Sequence, residues 1–138
     1  MRHLYVLLLI TLFILSGCKE EQDINKNIVE YEYLSKNEQY SSEINQWLNN
    51  AMHSEDESVY SLSSKDGNTY VYAKGHKKAK VTYLYEDTEG KTNRSLKVTL
   101  LKGNSNDDVF IKISYDSDLC CDVEILDDTD NENEFYAK

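Results

Sequence analysis

The residues best suited to chemistry are two adjacent cysteines, Cys120 and Cys121. Neighbouring side chains on a strand point to opposite faces, so we expect Cys121 to face the core and Cys120 to face solvent. Two free thiols, a vicinal disulfide with a distorted peptide, and an intermolecular disulfide or reactive thiol remain open as alternatives. The acidic residues around the pair disfavour a thiolate at Cys120 and so lower its reactivity. The pair is therefore a candidate thiol site in surroundings that argue against a redox enzyme.

The remaining side chains form no recognisable catalytic or metal-binding pattern. After His3, the histidines are His53 and His76, and neither has the spacing of a zinc site or of a His-Cys motif. No serine lies in a nucleophile-elbow sequence, and no glycine pattern predicts a phosphate-binding loop. We therefore predict that the protein is not an enzyme and has no catalytic residues, no metal site and no cofactor.

The N-terminus carries the most specific pattern in the chain. Arg2 precedes a largely apolar run over residues 4–15, and the small residues Ser16 and Gly17 come directly before Cys18. The run is shorter than the roughly 20 apolar residues that a membrane-spanning helix needs. Leu15-Ser16-Gly17-Cys18 resembles the lipobox at the end of a bacterial lipoprotein signal peptide.

The resemblance to lipoproteins implies a cellular location. Residues 1–17 would be a signal peptide that is removed, and the Cys18 thiol would carry a diacylglyceryl lipid anchor, with acyl chains such as palmitate. Residues 18–23 would be the lipidated cysteine and a charged tether. The protein would then lie in the cell envelope, at the outer membrane or cell surface of a Gram-negative bacterium or on the outer face of a Gram-positive cell membrane. An uncleaved anchor helix and a plain signal peptide are the alternatives.

The charge of the chain limits its partners. Of the 15 basic residues, only Arg2 precedes Cys18. The mature chain therefore has 14 basic and 25 acidic residues, which gives a net charge of −11. Such a protein repels nucleic acid and favours association with a basic partner. We therefore predict no nucleic-acid binding, a membrane contact through lipid on Cys18, and a protein partner that is basic. Simple solubility of the domain is the alternative explanation.

The first part of the mature chain is predicted to be helical. Apolar residues at positions 24, 28, 31 and 34 have helical spacing and predict a helix over 24–36. Residues 40–52 repeat the pattern, with Ser41 or Ser42 as the N-cap. The two segments form either two short helices or one long one.

From residue 58 the hydrophobic period changes to two, which predicts strands. Turn residues fall at 66–68, 75–78, 87–93, 103–107 and 116–118. Six strands are predicted, over residues 59–63, 69–74, 79–86, 94–102, 108–115 and 119–126.

This order of elements favours an α+β fold. We expect a single domain over residues 24–126, in which the N-terminal helix packs on an antiparallel meander of about five to six strands. The element order resembles that of cystatins. A small β-sandwich or barrel with an N-terminal helix is the alternative. The largely acidic residues 127–138 are predicted to be a mobile tail.

Two surface features suggest interactions. Two adjacent predicted strands each carry two tyrosines: Tyr70, Tyr72, Tyr83 and Tyr85. We expect most of them to stabilise the sheet through contacts between strands. If one row of tyrosines is exposed to solvent, that row is the predicted contact for a protein partner. A basic cluster runs through residues 74–80 (Lys74, His76, Lys77, Lys78 and Lys80). It is either a solvated hairpin tip or a contact for phospholipid or for an acidic partner.

The leading functional hypothesis is a lipid-anchored extracytoplasmic binding protein without catalytic activity. An inhibitor or immunity-type protein that blocks a basic partner fits the anchor, the charge and the missing catalytic pattern. An accessory or structural subunit of a membrane-bound assembly is one alternative. A small-ligand binder that uses the concave face of the sheet is another.

Overall fold

A computed structural model describes residues 29–116 and 122–137, and within these it has an α+β fold. The elements in chain order are β1 (Val29–Tyr33), α1 (Ser42–His53), β2 (Val59–Ser63), β3 (Thr69–Lys74), β4 (His76–Thr88), β5 (Lys91–Lys102), β6 (Asp108–Tyr115), β7 (Asp122–Thr129) and α2 (Glu132–Tyr136).

The described strands form two sheets. Sheet A has the order β1-β6-β3-β2 and is antiparallel throughout. Sheet B has the order β4-β5-β7, with β4 antiparallel and β7 parallel to β5. The predicted single antiparallel meander is therefore wrong, although the α+β class and the mainly antiparallel pairing are confirmed.

The chain crosses from sheet A to sheet B at Gly75. It lies between β3 and β4 with φ +69°, a backbone conformation that glycine adopts without the steric cost of a Cβ. Its N–H donates to the Asp107 carbonyl at 2.7 Å, and its carbonyl accepts from the Gly103 N–H at 2.8 Å. These bonds hold the bend against the loop between β5 and β6. As a result β3 pairs with β6 in sheet A, whereas β4 pairs with β5 in sheet B.

The core lies between the inner faces of the two sheets. Alternate residues of each central strand point into it, as the period of two predicts. The fully buried members are Val71 and Ala73 of β3, Ala79 of β4, Leu96, Val98 and Leu100 of β5, and Val109, Ile111 and Ile113 of β6. This face-to-face packing has the layer architecture of a β-sandwich, the alternative fold expected from the sequence.

Helix α1 covers the outer face of sheet A. Ser41 is its N-cap, and the Ser41 side chain accepts from the Ile44 N–H, as predicted. Ile44, Leu48 and Ala51 repeat at helical spacing and pack on Tyr70, Tyr72 and Phe110 of the sheet. The prediction of a helix over 40–52 is thus confirmed.

The predicted helix over 24–36 is wrong where the structure describes it, because residues 29–33 form β1. This segment alternates Val29, Tyr31 and Tyr33 with Glu30 and Glu32, so it carries a strand period as well as a helical one. Pairing with β6, about 80 residues away in sequence, selects the strand. Residues 24–28 lie outside the described part.

The predicted loop over 87–93 is wrong as well. β4 and β5 extend into it and leave a two-residue turn, Glu89-Gly90, with φ 52° and 78°. Positive φ at both positions is the requirement of a type I′ hairpin turn. The predicted turn over 75–78 likewise shrinks to Gly75, since β4 begins at His76.

The acidic C-terminal segment is part of the fold. β7 continues to Thr129, and α2 follows with Phe135 buried. The prediction of a tail beyond residue 126 is therefore wrong. Residues 119–121 of the predicted sixth strand lie outside the described residues.

Candidate functional site

The basic cluster of residues 74–80 meets the C-terminal acidic segment of the same chain. Lys77 Nζ lies 2.6 Å from Glu132 Oε1, and His76 Nε2 lies 2.8 Å from Asp128 Oδ1. The hydrogen bond with Lys77 and its positive charge lower the pKa of the Glu132 carboxyl. Two sequence features that we interpreted separately are therefore one intramolecular contact.

His76 is the buried member of this contact, with 3% of its surface exposed. Its Nδ1 lies 2.7 Å from the Lys74 carbonyl oxygen, and its Nε2 faces the Asp128 carboxylate. A carbonyl oxygen only accepts, so Nδ1 donates to it, and the Asp128 carboxyl group is the partner of Nε2. His76 thus fastens β7 to the start of β4 and has no free ring nitrogen for catalysis or metal binding.

Lys78 and Lys80 hold α2 on the outer face of sheet B. Lys80 Nζ donates to the Phe135 carbonyl at 2.7 Å and to the Ala137 carbonyl at 3.2 Å, where the last carbonyls of a helix favour a cation. Lys78 Nζ donates to the Tyr136 hydroxyl, and this bond raises the pKa of the Lys78 ammonium. These lysine side chains therefore stabilise the packing of α2 on sheet B. The sequence had suggested either a solvated hairpin tip or a contact with an external partner.

The four tyrosines predicted as partner contacts differ in their exposure to solvent. Tyr70 and Tyr72 are buried under α1, so they present no contact surface and stabilise the sheet. Tyr83 packs partly against the core, whereas the Tyr85 ring is 55% exposed. Of the four, only Tyr85 offers most of its ring to a partner.

Burial sets the ionisation of the two inner tyrosines. Burial raises the pKa of Tyr70 to about 12, helped by the 2.8 Å hydrogen bond that its hydroxyl donates to Asp66. Burial also raises the pKa of Tyr72, and a 3.0 Å hydrogen bond to Asp108 acts in the same direction. Both hydroxyls therefore stay neutral donors within the fold.

The predicted lipidation site, Cys18, and the predicted thiol pair, Cys120 and Cys121, lie outside the described residues. Their roles stay predictions. Within residues 29–116 and 122–137, no group of three His, Cys, Asp or Glu side chains is arranged to hold a metal ion. No helix in these same ranges is long and apolar enough to cross a membrane.

An acidic depression of about 550 Å³ lies where α1 leads into β2. Glu55, Asp56 and Glu57 are consecutive and exposed on its rim. None of the three forms a salt bridge with another described residue. Lys74 also lines the depression, but its ammonium donates to the Ser54 carbonyl and lies over the Tyr60 ring, 5.2 Å from the centroid. The depression therefore presents carboxylates to solvent. The depression was not predicted, although the sequence carries a signal for it in three acidic residues shortly after a predicted helix.

A second exposed feature is the end of the β4–β5 hairpin, here called the hairpin arm (residues 84–94). Its described side chains are all exposed, including Leu84 and Tyr85. The Arg94 guanidinium lies 6.0 Å from the Tyr85 ring centroid. The arm contributes to a shallow, polar groove of about 570 Å³ that includes Glu124 of β7.

Comparison of the chain with protein-family models, with curated proteins and with solved structures found no match.

Proposed function

We propose that this protein is a lipid-anchored extracytoplasmic binding protein, not an enzyme, that uses its acidic surface to hold a basic protein partner. An inhibitor or immunity-type role fits this proposal. Cys18 would carry the anchor, and the domain would act at the cell envelope. A cystatin-like topology remains a proposal on element order alone.

The observation that supports this proposal is that the basic cluster is engaged within the chain. His76 and Lys77 pair with Asp128 and Glu132, and Lys78 and Lys80 bond to α2, so these side chains are less accessible to an acidic partner or to phospholipid than the sequence suggests. The surplus of carboxylates, by contrast, stays at the surface. Three of these carboxylates, Glu55, Asp56 and Glu57, are consecutive on the rim of an open depression, where we expect a lysine or arginine side chain of the partner to bind. Complementary charge of this kind speeds association and selects the partner.

The described depressions give less support to a small-ligand binder. The three that we identify among the described residues, including one beside Thr99 and Asp128, are open and lined mainly by polar side chains. Small-molecule sites are usually concave, largely apolar and enclosed.

The test starts with the full chain as bait for envelope and secreted proteins, eluted by rising salt. We expect one basic protein bound one-to-one and released at moderate salt. With that protein purified, the triple variant E55Q/D56N/E57Q should bind at least tenfold more weakly at low salt. The control is E30Q/E38Q/D130N, which removes the same number of exposed charges away from the depression and from β4 and should change affinity little.

Equal losses in the two triple variants would show a general charge effect and refute the acidic depression as the binding site. Recovery of no basic partner, even at low salt, would refute the proposed function. Recovery of integral membrane proteins in a stable complex would favour an accessory subunit instead.

A further inference from the structure

The edge strand β4 is the longest of the edge strands in the described part of the molecule. β4 has 13 residues and pairs along one side with β5. The Ala79 N–H and carbonyl both bond to the Tyr33 hydroxyl, at 2.9 and 2.8 Å, so they point away from β5. Alternate residues of an antiparallel strand point their backbone groups the same way. The backbone groups of Val81, Tyr83 and Tyr85 therefore also face the open edge, and among the described residues they meet no hydrogen-bond partner.

Such an edge pairs readily with another strand. We propose that β4 is the interface through which two copies of this chain associate, by antiparallel pairing of their free edges. This inference is independent of the proposed function, since it uses a different surface and a different partner.

The charge pattern of β4 favours a second copy as the occupant. Its first half is basic, with Lys77, Lys78 and Lys80, and its second half is acidic, with Glu86 and Asp87. Antiparallel pairing of two identical strands places the basic half of each opposite the acidic half of the other. A two-fold interface requires this self-complementarity.

The other described edge strands lack this property. β1 carries Glu30 and Glu32, and β7 carries Asp122, Glu124, Asp127 and Asp128, without a basic residue in either strand. Self-pairing of these strands would place carboxylates opposite carboxylates, which destabilises a sheet. β2 is uncharged and has only five residues.

The Tyr33 hydroxyl selects the register. A pairing centred on Thr82 would need the backbone groups of Ala79, which Tyr33 already occupies. A pairing centred on Tyr83 leaves that contact intact. It places Tyr83 opposite Tyr83 of the second copy, Val81 opposite Tyr85, and Lys80 opposite Glu86. Lys80 bonds to two neutral carbonyls, so its charge is not compensated by a carboxylate there.

The resulting interface is small. Three hydrogen-bonded residue pairs supply about six backbone hydrogen bonds. This lies below the area of standard stable complexes, so we expect dissociation constants on the order of 10–100 µM.

Sedimentation of the full chain in density-matched, non-denaturing detergent, over a concentration series, tests the proposal. We expect a monomer–dimer equilibrium.

Charge variants of β4 test the proposed register. In Glu86→Lys, the new ammonium group lies opposite that of Lys80 in the second copy, at both ends of the two-fold pair. It should weaken dimerisation about tenfold or more. Lys80→Glu should do the same. An equimolar mixture of the two variants restores both charge pairs and should form heterodimers. Glu30→Lys, the same charge change on β1, should leave the equilibrium unchanged.

Because Lys80 also bonds to α2, Lys80→Glu could disturb that helix. A variant that acts on the backbone of the β4 edge avoids this problem. Tyr85→Pro removes an edge-facing N–H without removing a bond to β5, so it should abolish dimerisation. Tyr85→Ala keeps the N–H and should retain most of it. A chain that stays monomeric at 500 µM, on the order of tenfold above the expected constant, would overturn the proposal. So would a dimer whose stability is unchanged by Glu86→Lys and Tyr85→Pro.

Discussion

At the residue scale, the same side-chain type has different roles according to its position in the fold. Tyr70 and Tyr72 lie beneath α1 as neutral hydrogen-bond donors, whereas Tyr85 projects from the hairpin arm. His76 shows the same point, because burial between Lys74 and Asp128 makes it a structural link. Residue type alone does not separate these roles, since it does not report which neighbours surround the side chain.

Replacing Tyr70 should change how stability depends on alkaline pH. Because the folded-state pKa is raised from 10.0 to about 12, the stabilisation by Tyr70 is complete below pH 10 and is lost as pH rises towards 12. The parent chain should lose about 2 kcal/mol from this residue over that interval. In Tyr70→Phe we expect a cost of about 1 kcal/mol at pH 8 from the lost hydrogen bond. Its free energy of unfolding should then fall less steeply above pH 10.

Urea unfolding of both proteins at several pH values between 8 and 12 measures this difference. Parallel profiles above pH 10 would show that Tyr70 ionises in the folded state as readily as in the unfolded one. The interval below pH 9 serves as the internal control.

At the scale of elements, single backbone positions decide how strands are connected. β3 and β4 are consecutive and both were expected in one meander, yet the positive φ of Gly75 directs them into different sheets. The Glu89-Gly90 turn has the opposite effect, since it keeps β4 and β5 paired to their ends. Glycine thus marks both a change of sheet and a tight hairpin, and only the neighbouring elements distinguish them.

Gly75→Ala tests the sheet corner. A Cβ at Gly75 meets no atom within 4 Å, so the expected cost of about 1–2 kcal/mol comes from the left-handed backbone conformation and not from a clash. Gly75→Asn should cost less, since asparagine adopts this conformation more readily than alanine. Thermal and urea unfolding of the two variants measure the difference. Equal costs for Ala and Asn would contradict this explanation of the bend.

At the scale of the whole molecule, two sheets share one core and each carries a helix on its outer face. The C-terminal segment completes sheet B and covers part of its outer face. The basic cluster of residues 74–80 fixes that segment, so the acidic residues left at the surface define the outward character of the protein. Charge at this scale, together with the free β4 edge, supports the two proposed interactions.

Leu96→Ala tests whether the sheets unfold together. Leu96 is fully buried in sheet B, and its truncation should cost about 3 kcal/mol. Trp47, the single tryptophan of the chain, lies on α1 at the far side of sheet A. With one shared core, Trp47 fluorescence and far-ultraviolet circular dichroism should report the same lowered midpoint. A Trp47 transition unaffected by Leu96→Ala would mean that the sheets unfold separately.

The elements whose signal is local could be predicted from the amino-acid sequence. Helix α1 with its Ser41 cap, and the strands β2, β3 and β6, follow from periodicity and capping, because these depend on residues a few positions apart. The period of two in β5 and β6 agrees with the burial of Leu96, Val98, Ile111 and Ile113. The acidic depression had a sequence signal, three consecutive carboxylates, that does not by itself indicate a concave surface.

Features that depend on residues far apart in the chain could not be predicted and became visible in the folded structure. Residues 29–33 fit two periods, and pairing with β6 made them a strand. The acidic segment after residue 126 is ordered because it meets the lysines of β4, about 55 positions earlier in the chain. The division into two sheets, the parallel β5–β7 pair and the open edge of β4 likewise have no local signature. They result from minimising exposed apolar surface and unpaired backbone groups over the whole chain at once.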